Sequence, residues 1–438
     1  MRQLFAKKPM ERVLEEAGAT NELKRSLTAL SLILLGIGAI IGAGLFVRTA
    51  DAVADSAGPS VTISFLLAGI GCSFAGLCYA ELASRIPISG SAYTYSYVTM
   101  GELIAWIIGW DLILEYALGA GTVAIGLSQY LNKLLGYIEI NGQALCIPYE
   151  WCHSPFHHAS DAANVMHHGI FNLPACCIVL LLSILLVRGT SGSVFFNNLI
   201  VIMKVAIIIL FILIGWQFIN PANHDPYIPA RAVYVDNQGI SHDFGGIPGI
   251  LGAAGTVFFA FIGFDAISTA VQETVNPKRN MPIGILGSLI ICTILYILFS
   301  FVLTGVATVQ DFRTVGEEAS ITYAVQTYMT GYTWLAQFIT VAILIGLSSA
   351  LLVMLMAQSR IFYSMSRDGL LPKFFSDIHP RFNTPYKSSL LVAAVAGLIA
   401  GLVPGTILGN MTSIATLFAF ILVCGGLILL RYRHPETH

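Results

Sequence analysis

Gly36-Ile37-Gly38-Ala39-Ile40-Ile41-Gly42-Ala43-Gly44-Leu45-Phe46 lies inside an apolar run from about Leu30 to Val53. Such a run is long enough to cross a bilayer as a helix. It carries four glycines in nine residues, and glycine is among the residues least inclined to stay helical. A break at mid-membrane is tolerated where the freed backbone groups face protein, water or a ligand, and such breaks mark the binding sites of many secondary transporters. Gly38-x-x-x-Gly42 is also a small-residue motif that lets two helices approach closely. The stretch alone is compatible with either a break or a packing face.

The surrounding chain places it in a membrane. Of 438 residues, 56% are hydrophobic and 11% charged, against about 25% charged in a soluble domain. The net charge of −2 points to no class of partner, and nothing resembles a DNA- or RNA-binding motif. Met1 to Arg25 is polar and reads as a soluble tail without a signal peptide. Ten apolar spans are expected, at about 30–53, 60–83, 102–131, 172–189, 193–216, 250–270, 282–309, 333–363, 389–404 and 408–430. Ser89 to Tyr97, between spans two and three, reads as a short interfacial helix with tyrosines at headgroup depth.

Lys and Arg set the orientation. With the N-terminus in the cytoplasm, 17 of the 22 fall inside: six in the tail, then Arg85, Arg188, Lys278, Arg279, Arg360, Arg367, Lys373, Arg381, Lys387, Arg431 and Arg433. Three fall outside, namely Lys133, Arg231 and Arg313. Loops 132–171 and 217–249 are then external, so Cys146 and Cys152, which share the first of them, are expected to form a disulfide. The same loop holds His153, His157, His158, His167 and His168, at spacings that match no zinc signature, and no metal is expected. The other six cysteines lie in apolar runs and read as buried thiols.

Ten spans divide into two sets of five. Span six carries an interruption like that of span one: Phe258-Phe259-Ala260-Phe261-Ile262-Gly263-Phe264-Asp265. An odd number of spans per set sends the second set in from the opposite side, the inverted-repeat arrangement of many transporters. The expected fold is an all-α polytopic membrane protein of five-plus-five inverted-repeat type with broken spans one and six. Its parts are a cytoplasmic tail (1–29), a first repeat (30–216), an extracellular loop (217–249), a second repeat (250–430) and a cytoplasmic tail (431–438).

Four segments carry a family resemblance: Gly36 to Phe46, Phe258 to Asp265, Gln272-Glu273-Thr274-Val275-Asn276-Pro277-Lys278-Arg279-Asn280-Met281-Pro282, and Ser366-Arg367-Asp368-Gly369-Leu370-Leu371-Pro372. In this order they resemble the amino acid–polyamine–organocation superfamily, most closely the bacterial relatives of the cationic amino acid transporters. Members usually have twelve or more spans, so spans eleven and twelve are expected to be absent here, with the core of five plus five retained.

The resemblance implies an amino acid substrate. Its carboxylate would meet the free N–H groups of Gly42, Ala43 and Gly44 at the positive end of the outer half of span one. Its ammonium would meet the carbonyls of Ile40, Phe259, Ala260 and Ile262. On this view a side chain at Gly42 or Gly44 would block binding without preventing folding. Without the family, packing is the preferred reading of the span-six phenylalanines Phe258, Phe259 and Phe261.

Lys204 lies mid-span, eleven residues from Ser193. A charge there costs about 2.5–3.5 kcal/mol on insertion scales, so the lysine is expected to face the protein interior. The resemblance places it where sodium-coupled cousins of the fold bind a sodium ion, between spans one and eight, with Ser348 and Ser349 as neighbours. Glu115 is four residues from Asp111 on one face of span three and resembles a glutamate of the cationic amino acid transporters that would attract an ammonium or relay a proton. Asp265 either holds the span-six break or functions there. Arg48 either gates the site from outside or pairs with Asp51 or Asp55, the pairing being preferred. Arg360, Arg367 and Asp368 are expected to form an inner salt-bridge network, a cytoplasmic gate.

These expectations converge on a plasma-membrane (bacterial inner-membrane) amino acid transporter driven by proton symport. The rivals are an amino acid exchanger and a non-transporting sensor of the same fold. No H-E-x-x-H or G-x-S-x-G motif occurs, so an enzyme is not expected, and neither is a cofactor. The expected partners are the amino acid, the proton and the lipid bilayer; the resemblance leaves room for a small accessory membrane subunit.

Overall fold

The computed structural model describes residues 27–86, 91–140, 143–156, 158–160, 166–188, 194–235, 241–315, 320–380 and 384–433. The tail 1–29 up to residue 26, His157, and the tail 431–438 from residue 434 lie outside the described residues.

Helices occupy all ten expected positions. Among the described residues, seven helical stretches are long and apolar enough to cross a bilayer: Arg48–Arg85, Glu102–Leu135, Asn198–Phe218, Gly246–Ser268, Pro277–Val306, Trp334–Arg367 and Gly405–Tyr432. Three shorter apolar helices accompany them, Ala29–Ile40, Leu173–Val187 and Tyr386–Leu402. The chain is therefore a multi-pass membrane protein. Many large apolar side chains remain exposed, such as Leu66, Leu181, Leu213, Ile294 and Ile421, as lipid requires and water would not permit over so large an area.

Span one is broken. Its first half, Ala29–Ile40, the inner one under the expected orientation, is capped at its start by the Thr28 hydroxyl on the Ser31 N–H. It ends at Ile41, whose ψ of 101° leaves the helical range. An outer half follows as Ala43–Phe46 and Arg48–Ala52, closing in a π-turn at Val53–Ala57. Gly58, at φ +56°, then turns the chain into span two, so span one runs four residues beyond its expected end. Span six is broken too: α-helical over Gly246–Val257, 3₁₀ over Phe258–Phe261, then interrupted at Ile262-Gly263 before a second 3₁₀ segment, Phe264–Glu273. Gly263 sits at φ +110°, a conformation glycine takes at no steric cost.

Span three (Glu102–Leu135) packs on spans eight (Thr333–Arg367) and ten (Gly405–Arg433). Span seven (Pro277–Val306) packs on span two (Val61–Arg85) and the inner half of span one. Span four (Leu173–Val187) lies on span nine (Tyr386–Leu402), and span five (Val194–Gly215) on spans seven and eight. Among the described residues, the connecting loops hold three antiparallel hairpins: Glu139–Ile140 with Gln143–Ala144, His158–Ser160 with Met166–His168, and Ala232–Val235 with Ser241–Phe244.

Two local expectations need correction. The short helix runs over Ser91–Thr99, and its Tyr93 and Tyr95 are each 1% exposed. They are core residues beneath spans three and ten, not headgroup anchors. Cys146 and Cys152 are not joined to each other: Cys146 is exposed, whereas Cys152 ends the short helix Tyr149–Cys152 and turns inward, with its Sγ 3.9 Å from the Ile147 carbonyl. The Tyr93 hydroxyl donates to Asp368 at 2.8 Å, Arg367 lies over the Tyr363 ring, and Arg360 is exposed. A second inner cluster joins Glu81 of span two to Arg85, at 2.7 Å, and to Arg431 of span ten.

Candidate functional site

The four glycines of the opening stretch divide between the two roles. A Cβ on Gly36 would lie 2.5 Å from Ile267 and Ser288, and one on Gly38 2.5 Å from Val201. One on Gly44 would lie 2.1 Å from Ala260 Cα. These three are packing glycines against spans seven, five and six. Gly42 is different: its nearest neighbour would be Ala350 Cβ at 3.6 Å, an ordinary contact. The expectation for Gly44 is corrected accordingly, because a side chain there meets backbone and not a vacant site.

The two breaks touch. Gly44 abuts Ala260 on one side, and on the other a Cβ on Gly263 would lie 2.8 Å from the Ala39 carbonyl oxygen. Between them the Tyr296 hydroxyl of span seven reaches the carbonyl oxygens of Ile40, at 3.1 Å, and Ala260, at 3.0 Å. Two of the four carbonyls expected to receive an ammonium therefore converge on one point. A carbonyl oxygen has two lone pairs, so each retains capacity for a further donor. The Phe259 carbonyl accepts from Ile262 N–H at 3.3 Å, a long bond. The N–H groups of Gly42, Ala43 and Gly44 head the outer half, where a helix has no intrahelical partners for its first donors.

Lys204 is 1% exposed. Its ammonium donates to the Ile41 carbonyl at 2.9 Å and the Gly38 carbonyl at 3.1 Å, so it caps the inner half of span one where the break frees acceptors. Two hydrogen bonds from a charged donor, at about 1.5–3 kcal/mol each, offset an insertion cost of about 2.5–3.5 kcal/mol. On span eight the lysine stem rests against Gly346, where a Cβ would come within 2.8 Å of Cε. Ser348 hydrogen-bonds the Leu344 carbonyl of its own helix at 2.8 Å, and Ser349 is half-buried. The span-eight residue against the lysine stem is thus a glycine that the sequence did not single out.

A second polar group lies on the side of spans three and ten. Glu115 is 2% exposed and lies beside Thr416, whose hydroxyl donates to the Thr412 carbonyl at 2.9 Å. The Tyr116 hydroxyl donates to Asp265 at 3.1 Å, and the Asp265 carboxylate also takes hydrogen bonds from the backbone at Gly263, Asp265 and Ala266. Asp265 therefore holds the break of span six in shape. Arg48 is 1% exposed and pairs with Asp51 at 2.5 Å; it also donates to Asn410 of span ten. Gly409 makes room for the guanidinium, since a Cβ there would lie 2.7 Å from Nε.

Tyr296 is the residue sequence reasoning missed at the junction. The single tyrosine in Ile290-Ile291-Cys292-Thr293-Ile294-Leu295-Tyr296-Ile297-Leu298 was its one signal, because polar groups within a span need a partner. Tyr296→Phe is expected to remove the donor from both carbonyls and destabilise the protein by about 1–3 kcal/mol. Thermal unfolding in detergent measures this, and a melting temperature equal to the native one would refute the bridge.

Comparison with known proteins places these features in a family. The amino acid permease family model matches residues 27–438. The methylthioribose transporter of Bacillus subtilis (strain 168) is 43% identical over 436 residues, covering 100% of this chain and 87% of the relative. The branched-chain amino acid permease BcaP of the same organism is 40% identical over 433 residues, covering 99% and 86%. The vacuolar cationic amino acid transporter 4 of Arabidopsis thaliana is 32% identical over 439 residues, covering 100% and 68%. The matched family and these relatives are permeases and transporters, not enzymes.

Proposed function

The chain belongs to the amino acid permease family, and from that premise we propose that it is a secondary transporter moving amino acids by alternating access, coupled to protons as a symporter. The observation that carries this reading is the convergence of the Ile40 and Ala260 carbonyls on one hydroxyl, which sets acceptors from both broken spans around one point. The substrate ammonium binds the carbonyls of Ile40, Phe259, Ala260 and Ile262. The carboxylate binds the N–H groups of Gly42, Ala43 and Gly44. Glu115 attracts the substrate ammonium or relays a proton. Because backbone groups read only the α-ammonium and α-carboxylate, they set the substrate class and leave its side chain to other residues.

Lys204 is the proton site. Charged, it ties the inner half of span one to span five; neutral, it loses the charge that strengthens both bonds, and the half-helix is released. Ser348 and Ser349 line the span-eight side of that contact. Arg48 holds the outer half of span one to span ten, and Arg360 with Asp368 flanks the inner opening. The repeats run over 30–216 and 250–430, with the N-terminus in the cytoplasm of a bacterial plasma membrane and room for a small accessory subunit.

Sealed proteoliposomes with an inward-directed pH gradient test this. Labelled isoleucine, alanine and arginine cover the branched, small and cationic classes, and at least one is expected to accumulate without internal substrate. Uptake that needs internal amino acid indicates an exchanger, and binding without uptake a sensor. A second reading follows from the 43% identity to the methylthioribose transporter: a thiosugar lacks both α-groups, and its hydroxyls would donate to the same carbonyls. Labelled methylthioribose in the same assay separates the two.

A further inference from the structure

Away from the broken spans, three outer segments meet at the end of span one. The helix Val309–Val315, which follows span seven, carries Arg313. Its guanidinium carbon lies 3.8 Å from the centroid of Tyr234 and 4.5 Å from that of Phe244. Tyr234 pairs with His242 across the hairpin Ala232–Val235/Ser241–Phe244, so Phe244 is the diagonal neighbour of Tyr234 on the same face. Two rings so placed form a slot for a flat cation. Arg313 is half-buried there, and its Nε donates to the Ala54 carbonyl at 2.9 Å. Ala54 belongs to the π-turn that closes the outer half of span one.

Other contacts tie the same turn to span six. Gly245 N–H, just ahead of span six, donates to the Ser56 carbonyl at 2.7 Å. A Cβ on Gly249 would lie 2.3 Å from that same oxygen. Gly58, which closes the turn, faces Phe244, Pro229 and Val309 at 3.1–3.4 Å from its Cβ position. The outer ends of both broken spans are therefore in backbone contact, and Arg313 is the cation that grips them from a third segment. A cation at the carbonyl end of a helix is favoured by the helix dipole, and a guanidinium over aromatic faces by the ring quadrupole.

We propose that Arg313 is a positioning residue, the pin of an outer strap. Seated between Tyr234 and Phe244 and bonded to Ala54, it holds the outer half of span one in the position seen here. Withdrawal of the guanidinium from the slot frees that half-helix together with the outer half of span six. The consequence for transport rests on the function proposed above; the contact itself does not.

Hydrogen exchange read by mass spectrometry on the full chain in lipid nanodiscs tests the pin. In Arg313→Ala, amides of 53–58 and of the hairpin 232–244 are expected to exchange about tenfold faster, the scale of losing the two ring contacts and the charged hydrogen bond. Amides of spans three and eight are expected to stay at native rates. Added methylguanidinium, which fits the same slot, is expected to restore protection to within about twofold, and Arg313→Lys to fall between native and alanine because an ammonium cannot fill a planar slot. Should Arg313→Ala not fold, Phe244→Leu opens the slot from the hairpin side and is expected to speed exchange over the same residues. Unchanged exchange at 53–58 in a folded variant overturns the proposal, as does a uniform rise across all spans, which would mark a general packing residue. A failed exchange test leaves the transport reading intact, and a native chain that carries no substrate leaves the strap intact.

Discussion

Lys204→Ala is expected to abolish accumulation driven by a pH gradient. Coupling one proton per substrate, a gradient of one pH unit supports about tenfold accumulation, since it stores about 1.4 kcal/mol. The native chain is expected to approach that ratio in proteoliposomes, and Lys204→Ala to reach no more than equal concentrations on both sides. The cause is local. The ammonium bonds the Gly38 and Ile41 carbonyls, the acceptors that the break in span one exposes, and alanine leaves them without that donor while removing the titrating group. Exchange between internal and external substrate need not use the proton and is expected to survive. If Lys204→Ala still concentrates substrate with the native dependence on pH, the proton site lies elsewhere, and Glu115, buried against Thr416, is the next residue to replace.

The second large effect separates two glycines two residues apart. Gly44→Val is expected to yield no monodisperse protein, because its Cβ would lie 2.1 Å from Ala260 Cα and 2.5 Å from Ala260 N. Overpacking costs about 1–3 kcal/mol where side chains can shift; here the obstacle is the backbone of the other broken span. Gly42→Val is expected to fold, since its Cβ would have Ala350 at 3.6 Å as nearest neighbour, and to lose binding because the side chain occupies the approach to the neighbouring N–H groups. Size-exclusion profiles and binding measurements on both variants check this. A well-folded Gly44→Val, or a Gly42→Val with native affinity, contradicts it.

Much of this was legible in the sequence. The composition, the apolar runs and the two interruptions, read with the family resemblance, were enough to expect ten spans with the first and sixth broken. Burial of Lys204 followed from the cost of a charge at mid-span. The division of labour among Gly36, Gly38, Gly42 and Gly44 was not legible, since close packing and a break demand the same residue and only the neighbours tell them apart. Tyr296, Gly346 and Asn410 were missed for a related reason: each acts through a partner distant in sequence, and a single tyrosine, glycine or asparagine in a span has no periodicity to flag it. The inward turn of Tyr93 and Tyr95 likewise depends on spans three and ten, which the interfacial pattern of their own segment does not reveal.

Binding to purified native protein of one amino acid and its two blocked derivatives tests the central claim most directly. The amino acid giving the largest thermal stabilisation is titrated by calorimetry beside its N-acetyl form and its methyl ester. If the breaks hold both α-groups, each derivative is expected to bind at least about a hundredfold more weakly, the loss of one or two charge-assisted bonds of about 1.5–3 kcal/mol. Equal affinity for the free and blocked forms, or binding of methylthioribose with no response to any amino acid, would contradict recognition by the backbone of the two broken spans.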